Sequence, residues 1–215
     1  MAILNLLAYS FYETIFMVSL SLFIGVMVGG SLGILLYYHS TPGLKPRPLL
    51  YKALGFMVNS LRSIPYIILT VLLIPLTRFI TGSSIGTLSA IVPLSLAAIL
   101  LIARATEDTL RTVPKGLIEM GLSLGADPLF IIKKIILPEA LPTLIAELTN
   151  ITIILVGFSA MAGTVGGGGL GDLAIRYGYQ RYDTVLMAFI VLILLLIVQA
   201  IQAVGKYLTN YFRYQ

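Results

Sequence analysis

Residues 184–204 read TVLMAFIVLILLLIVQAIQAV, a continuous run without a charged side chain. An α-helix needs about 20 apolar residues to cross the hydrocarbon core of a bilayer. The whole chain is 58% hydrophobic and only 11% charged, which is too little charge to cover a water-soluble domain of 215 residues. The sequence therefore predicts an all-α polytopic membrane protein, with one membrane domain over residues 1–215. Its five predicted spans cover about residues 14–36, 56–76, 84–103, 142–162 and 184–204.

The basic residues are unevenly distributed between the connections that join these spans. All but three of the 14 lysines and arginines lie in or beside the first and third connections or after the last span; the exceptions are Arg78, Arg176 and Arg181. The positive-inside rule then predicts an N-terminus outside the membrane, a cytoplasmic C-terminus and a cytoplasmic segment at 104–141. The charges are scattered in short loops rather than gathered on one face. The net charge of +5 is therefore attributed to residues that orient the membrane spans, rather than to a nucleic-acid partner.

The cytoplasmic segment contains signals for two short helices that meet at a sharp corner. Pro114 favours the start of the first helix, because its fixed φ suits a first turn. Gly125 is expected to end that helix in a left-handed conformation, which costs a residue with a Cβ about 1 kcal/mol. After Ala126, Asp127 and Pro128 fit the N-cap and first turn of a second helix. The corner is predicted to protrude as a rigid element that fits a cleft on another protein.

The same segment has a fixed spacing of Glu119, five residues, Gly125, nine residues, Ile135, one residue, and then Leu137-Pro138. This spacing resembles the cytoplasmic coupling motif of ABC importer permeases, the loop through which a membrane subunit docks onto its ATPase. The usual motif begins Glu-Ala-Ala, whereas Met and Gly occupy positions 120 and 121 here. That departure predicts looser packing of the first coupling helix. The resemblance implies that the ATPase-coupling residues are Glu119, Gly125, Ala126, Asp127, Pro128, Leu137 and Pro138.

Further stretches resemble methionine ABC importer permeases along nearly the whole chain. They are RSIPYII at 62–68, IPLTR at 74–78, VGFSAM at 156–161, GLG at 169–171 and YGY at 177–179. The resemblance implies a type I ABC importer-like fold and a homodimer in a bacterial inner membrane. It also implies two ABC ATPase subunits and an extracytoplasmic methionine-binding lipoprotein. ATP and Mg²⁺ would bind to the partner ATPase, so this chain is expected to hold no cofactor, metal or catalytic residue.

Three alternatives are weighed against this interpretation. A permease for another polar amino acid would share the coupling motif. A self-contained channel or secondary carrier would normally show inverted repeats and paired discontinuous helices, and neither is visible in the sequence. A membrane-embedded enzyme would need clustered carboxylates or histidines within its spans, whereas only one glutamate lies well inside a predicted span.

The outer end of the fourth span is predicted to line a translocation path. Small residues between 157 and 163 are expected to face the axis of a dimer, with Ser159, Ala160 and Met161 along the path. Met161 has the flexible, polarisable side chain expected of an apolar gate. The glycine-rich segment 163–171 lacks the Lys-Ser/Thr ending of a phosphate loop, so a nucleotide site is rejected.

Two further features of the spans leave more than one interpretation open. Gly25, Gly29 and Gly33 recur every four residues and predict a close helix–helix contact, either within one chain or between two. Glu147 is a functional candidate because it lies inside a predicted span. A structural or interfacial role near water or Arg62 is favoured over a role toward a proton or substrate.

Overall fold

The computed structural model describes residues 2–213, and every regular element within that range is helical. Three π-helical turns interrupt or extend the α-helices: π1 (Gly25–Gly30), π2 (Ile132–Ile136) and π3 (Ala174–Tyr179). The α-helices are α1 (Ala2–Ile24), α2 (Ser31–Ser40), α3 (Pro48–Arg62), α4 (Tyr66–Leu72), α5 (Ile74–Thr81), α6 (Thr87–Thr112), α7 (Lys115–Ser123), α8 (Pro128–Ile131), α9 (Leu137–Thr164), α10 (Gly169–Leu173) and α11 (Thr184–Arg213).

Four continuous helical stretches are long and apolar enough to cross a membrane: Leu4–Ser40, Thr87–Thr112, Pro128–Thr164 and Thr184–Arg213. A fifth candidate consists of α3 and α4, which are bent by 101° at the break between them. The prediction of an all-α polytopic membrane protein is confirmed. Several helices are longer than the predicted spans, since they include polar residues next to the apolar runs.

The second span differs most from the sequence prediction, which places one span at about residues 56–76. Instead, α3 ends at Arg62, α4 begins directly after Pro65, and α5 has Pro75 in its first turn. Proline lacks the amide donor and disfavours helical geometry in the residue before it. Both prolines therefore separate helices here, whereas Pro93 lies inside the continuous α6.

Helix α6 forms the centre of the protomer, with α1, π1, α2 and α9 packed around it. The glycines of the first span make this packing close. A Cβ on Gly25 would lie 2.7 Å from Cβ of Ala98, and a Cβ on Gly29 would lie 2.5 Å from the carbonyl oxygen of Ile99. The close contact predicted from the glycine spacing is thus confirmed, and it joins the first and third spans of one chain.

Candidate functional site

The predicted corner lies between α7 and α8, and its backbone forms a Schellman motif. Gly125 has a φ of +73°, in the left-handed region where glycine avoids the Cβ penalty. The amide of Ala126 donates to the carbonyl oxygen of Gly121 at 3.0 Å, and the amide of Gly125 donates to that of Leu122 at 2.9 Å. These bonds satisfy carbonyl groups that the end of a helix otherwise leaves without partners. The predicted left-handed cap at Gly125 is confirmed.

The second helix of the corner begins with a side-chain cap. Oδ2 of Asp127 accepts a hydrogen bond from the amide of Leu129 at 2.9 Å, and Pro128 occupies the first turn. A cap of this kind stabilises a helix by about 1 kcal/mol. Helix α8 then continues through π2 into α9, where Leu137 is half-buried and Pro138 is exposed. The corner and the fourth span are therefore parts of one continuous helical stretch.

A separate hydrophobic cluster holds the corner against the end of α6. Its members come from α2, α6, α7, α8, π2 and α9 and from the loops beside them, so that the position of the corner is set by packing rather than by the turn alone. Its buried residues are Tyr37, Leu44, Leu110, Val113, Ile118, Ile131, Ile132, Ile136 and Ala140.

The departure from the usual Glu-Ala-Ala pattern has a structural explanation within this cluster. Gly121 is buried, and a Cβ on it would lie 3.0 Å from Cγ1 of Ile131. Met120, the next residue along α7, is half exposed. Because Ile131 fills the space that an alanine methyl group would take, α7 and α8 pack closely. The expectation of looser packing at this position is therefore wrong.

The tip of the corner presents apolar side chains on the outside of the protomer. Leu124 is 80% exposed, and Leu129 and Phe130 are each more than half exposed. Glu119 is also exposed, one helical turn before Ser123, whose hydroxyl donates to the Glu119 carbonyl oxygen at 2.8 Å. Adjacent exposed apolar groups on an ordered element are typical of an interaction surface. The corner has the shape and chemistry to enter an apolar cleft.

The three predicted path residues on α9 do not share a face. Met161 is 48% exposed, whereas Ser159 is 2% exposed and donates its hydroxyl to the carbonyl oxygen of Val156 at 2.7 Å. Ala160 is half-buried against Gly171 of α10. Residues two positions apart on an α-helix differ in direction by about 200°. Of the three, only Met161 is well exposed at the outside of the protomer.

Met161 belongs to a longer row of side chains that we call the open stripe. Its members are spaced by three, four or seven residues and thus lie on one face of α9. The other faces of α9 pack against α1, α4, α6, α10 and α11, so within residues 2–213 the open stripe is the side of α9 left uncovered. The open stripe consists of Thr143, Asn150, Ile154, Gly157, Met161 and Thr164.

The glycine-rich segment folds back onto the first span. Oε2 of Glu13 accepts a hydrogen bond from the amide of Gly169 at 2.8 Å, and Oε1 accepts one from the hydroxyl of Thr87 at 2.6 Å. Next to them, Oγ1 of Thr14 accepts from the amide of Leu170 at 2.9 Å. These contacts join segments far apart in sequence, so no local motif pointed to Glu13. The segment is a packed hairpin that uses its amides internally.

Glu107, like Glu13, is an acid that the sequence analysis did not identify, and it lies near the C-terminal end of α6. The side chain of Glu107 is fully buried on α6, between Arg104 at 2.8 Å and Arg111 at 2.7 Å. Arg111 also donates to the hydroxyl of Tyr51 on α3 at 3.0 Å. Two guanidinium groups bind the carboxylate, and one of them also binds the Tyr51 phenol, so this cluster fixes the beginning of α3 against α6. The i, i+3 and i, i+4 spacing of the charges is its only sequence signal.

Glu147 lies half-buried on α9 and lines the same cavity as Arg62 of α3. The salt bridges found among residues 2–213 involve neither side chain. The two opposite charges thus face one space without touching.

Comparisons with known proteins agree with this architecture. The family model for the binding-protein-dependent transport system inner membrane component matches residues 21–213. The probable D-methionine transport system permease protein MetI of Vibrio cholerae is 48% identical over 206 residues, which cover 96% of this chain and 92% of that protein. The D-methionine transport system permease protein MetI of Escherichia coli K12 is 45% identical over 158 residues, which cover 74% of this chain and 73% of that protein.

Solved structures extend the agreement to three dimensions. A chain of the MetNI methionine ABC transporter, from a native crystal form with inward-facing conformations, has a TM-score of 0.92 at 41% identity and 97% coverage of both chains. A chain of an amino acid ABC transporter has a TM-score of 0.77 at 20% identity, covering 98% of this chain and 94% of that one, which shows a shared fold alone. Because the family model matches from the first span to the end of α11, this chain belongs to the family of binding-protein-dependent transport system inner membrane components.

Proposed function

We propose that this chain is the permease subunit of a bacterial ABC importer for methionine. The observation that carries the proposal is the corner at Gly125, which combines the coupling spacing with a Schellman cap, an Asp127 N-cap and an exposed apolar tip. The substrate is inferred from relatives named as D-methionine permeases that are up to 48% identical over nearly the whole chain. The alternatives are a permease for another polar amino acid and a self-contained channel or secondary carrier.

The working unit is a homodimer with two ABC ATPase subunits. One chain has one corner, so two chains are needed to engage both subunits of an ATPase pair, and a two-fold axis supplies the second copy. The open stripe on α9 supports this arrangement, because it runs along the helix without a partner among residues 2–213. The transmembrane path then lies between two open stripes, with Met161 of each copy near its outer end.

The chemical step belongs to the ATPase. ATP and Mg²⁺ bind there, and the corner transmits the resulting movement to the membrane helices. Glu119, Ala126 and Pro138 are exposed or half-buried around the corner, and we assign them to the docking surface together with Leu137. An extracytoplasmic methionine-binding lipoprotein delivers the substrate to the outer face. This requires the N-terminus outside and the C-terminus in the cytoplasm, as the distribution of basic residues predicts.

Reconstitution tests the proposal directly. The chain is purified with the ATPase encoded for the same system, placed in liposomes and supplied with the binding lipoprotein and ATP. We expect uptake of labelled methionine that needs both ATP and the lipoprotein, with two copies of this chain for each ATPase pair. Uptake of a polar amino acid but not methionine would support the first alternative. Uptake without an ATPase would support the carrier, and one copy per ATPase pair would exclude the homodimer.

A further inference from the structure

A cavity of about 360 Å³ lies between the end of α3 and the facing sides of α6 and α9, in the half of the protomer that contains the corner. Ligand cavities usually begin at about 300 Å³, so the space suits a ligand of amino-acid size. Thr143, Glu147 and Ile154 line it from α9. Thr143 and Ile154 also belong to the open stripe, so the cavity lies along the face that we assign to the transport path.

The cavity is lined by one cation, Arg62, and two anions, Glu147 and Asp108, and Arg62 and Glu147 do not neutralise each other. Arg62 comes from α3 and Glu147 from α9, and among residues 2–213 neither takes part in a salt bridge within 4.0 Å. Asp108 also lines the cavity, but its Oδ2 lies 3.4 Å from Nε of Arg104. A charge in a membrane-spanning segment is costly unless water or a partner compensates it. Arg62 and Glu147 therefore have their charges available for something that enters the cavity.

Part of the remaining lining is apolar. Leu101 of α6 and Ile151 and Ile154 of α9 face the same space. A guanidinium group binds a carboxylate through two parallel hydrogen bonds, and a carboxylate binds an ammonium group by a charge-assisted bond. A cation, an anion and an apolar wall around one small space match the three parts of an α-amino acid with an apolar side chain.

We infer that this cavity is a transient binding site for a zwitterionic amino acid on its way to the cytoplasm. Arg62 binds the carboxylate, Glu147 binds the ammonium group, and Leu101, Ile151 and Ile154 contact the side chain. The inference rests on the proposed function, since it takes the substrate to be an amino acid. Both charged groups lie in a cavity that is open to solvent, so the site binds weakly and releases its ligand readily.

The absence of cysteine from the chain allows a site-specific test in the intact complex. Thr143→Cys places one thiol on the cavity wall, and Ser84→Cys places one in the exposed outer loop as a control. The complex with its ATPase is alkylated without nucleotide, and labelling is measured on this chain after separation of the subunits. Methionine is expected to slow alkylation at position 143 and to leave position 84 unaffected. A methionine site on the ATPase cannot mimic this result unless it alters the cavity.

Charge-deleted ligands assign each residue its role. The decarboxylated amine and the deaminated acid of methionine should each protect position 143 at least about tenfold less well than methionine, since a bond to a charged group is lost. In the Arg62→Gln background, methionine should protect no better than the decarboxylated amine. In the Glu147→Gln background, it should protect no better than the deaminated acid. A residue that only supports the fold would weaken all three ligands alike.

Glu139 provides the matched control. Glu139 lies four residues before position 143 and Glu147 four residues after it, so the charge of either affects the reactivity of a thiol at position 143. Of the two, only Glu147 lines the cavity. Glu139→Gln should leave protection by methionine unchanged. If a complex that imports methionine shows no protection at position 143, or equal protection in Glu139→Gln and Glu147→Gln, the site is refuted while the proposed function stands. If methionine is not imported but another amino acid protects in the same charge-dependent way, the site stands and the substrate assignment falls.

Discussion

Replacing Gly125 tests whether the left-handed corner is what the ATPase recognises. A Cβ added there would meet no atom within 4 Å, so the Cβ itself introduces no clash, and the cost that the structure shows is the backbone φ of +73°. The left-handed conformation costs a β-branched residue about 1–2 kcal/mol. The two hydrogen bonds of the Schellman motif contribute about 1–3 kcal/mol together. Because strain and stabilisation are of similar size, Gly125→Val should open the corner in a large fraction of molecules.

The expected result is a weaker complex. If only the left-handed corner docks, the apparent affinity for the ATPase falls with the fraction of intact corners: about twofold where strain and stabilisation are equal, and about fivefold where strain exceeds stabilisation by about 1 kcal/mol. The assay measures binding of purified ATPase to the permease in nanodiscs, followed by the ratio of methionine transported to ATP hydrolysed. Gly125→Asn should lie between glycine and valine, because asparagine tolerates the left-handed region better than other residues.

Gly116→Val is the matched control. Gly116 is exposed in α7, its φ is not positive, and an added Cβ would meet no atom within 4 Å. Valine there should leave ATPase binding unchanged, since helix propensity slightly favours it over glycine. Equal binding by Gly125→Val and the wild type would refute the role of the corner. Equal weakening by Gly125→Asn and Gly125→Val would show that side-chain bulk matters rather than backbone strain.

Three more predictions concern the Asp127 cap, the contacts of Glu13 and the position of Met161. Asp127→Ala removes the cap on the amide of Leu129 and should weaken ATPase binding by about 1 kcal/mol, which is about fivefold, and Asp127→Ser should restore most of it. An unchanged affinity in Asp127→Ala would contradict the role of the cap. Glu13→Ala leaves the amide of Gly169 without its acceptor and should lower the free energy of unfolding of the detergent-purified complex by about 1–3 kcal/mol. A melting curve identical to that of the wild type would count against a stabilising role of Glu13. Met161→Cys should cross-link between the two copies in at least one nucleotide state, and a failure in every state would remove Met161 from the dimer axis.

The corner was the most predictable part of the molecule from sequence, for a local reason. Glycine, aspartate and proline each have a backbone preference that few other residues share, so Gly125, Asp127 and Pro128 define a cap, a turn and a helix start within four positions. The spans were predictable for a similar reason, because a membrane requires about 20 apolar residues in a row. The 101° bend between α3 and α4 was not predictable in size, because Pro65 disfavours a continuous helix but does not fix the direction of the helix that follows.

The missed residues depend on partners distant in sequence or on helix direction. Glu13 meets Thr87 and Gly169 only when three separate helices assemble. Ser159 and Met161 were grouped because they are neighbours in sequence, yet α9 turns them toward different surroundings. Glu147 was predicted as a candidate, but the cavity that gives it a role needs α3 and α6 as well.

The continuity of α8, π2 and α9 has a mechanical consequence. Residues Pro128–Thr164 form one helical stretch of 37 residues, which is about 55 Å long at 1.5 Å per residue. In the proposed importer this stretch is a lever with the ATPase at one end and Met161 near the other, so a tilt of about 5° at the corner displaces the far end by about 5 Å. The π2 turn is the one place where an extra residue interrupts the regular winding of this lever. Deleting a residue within π2 should rotate the outer arm by about 100° relative to the corner, and a cross-link at position 161 would then be lost although neither end of the lever has changed.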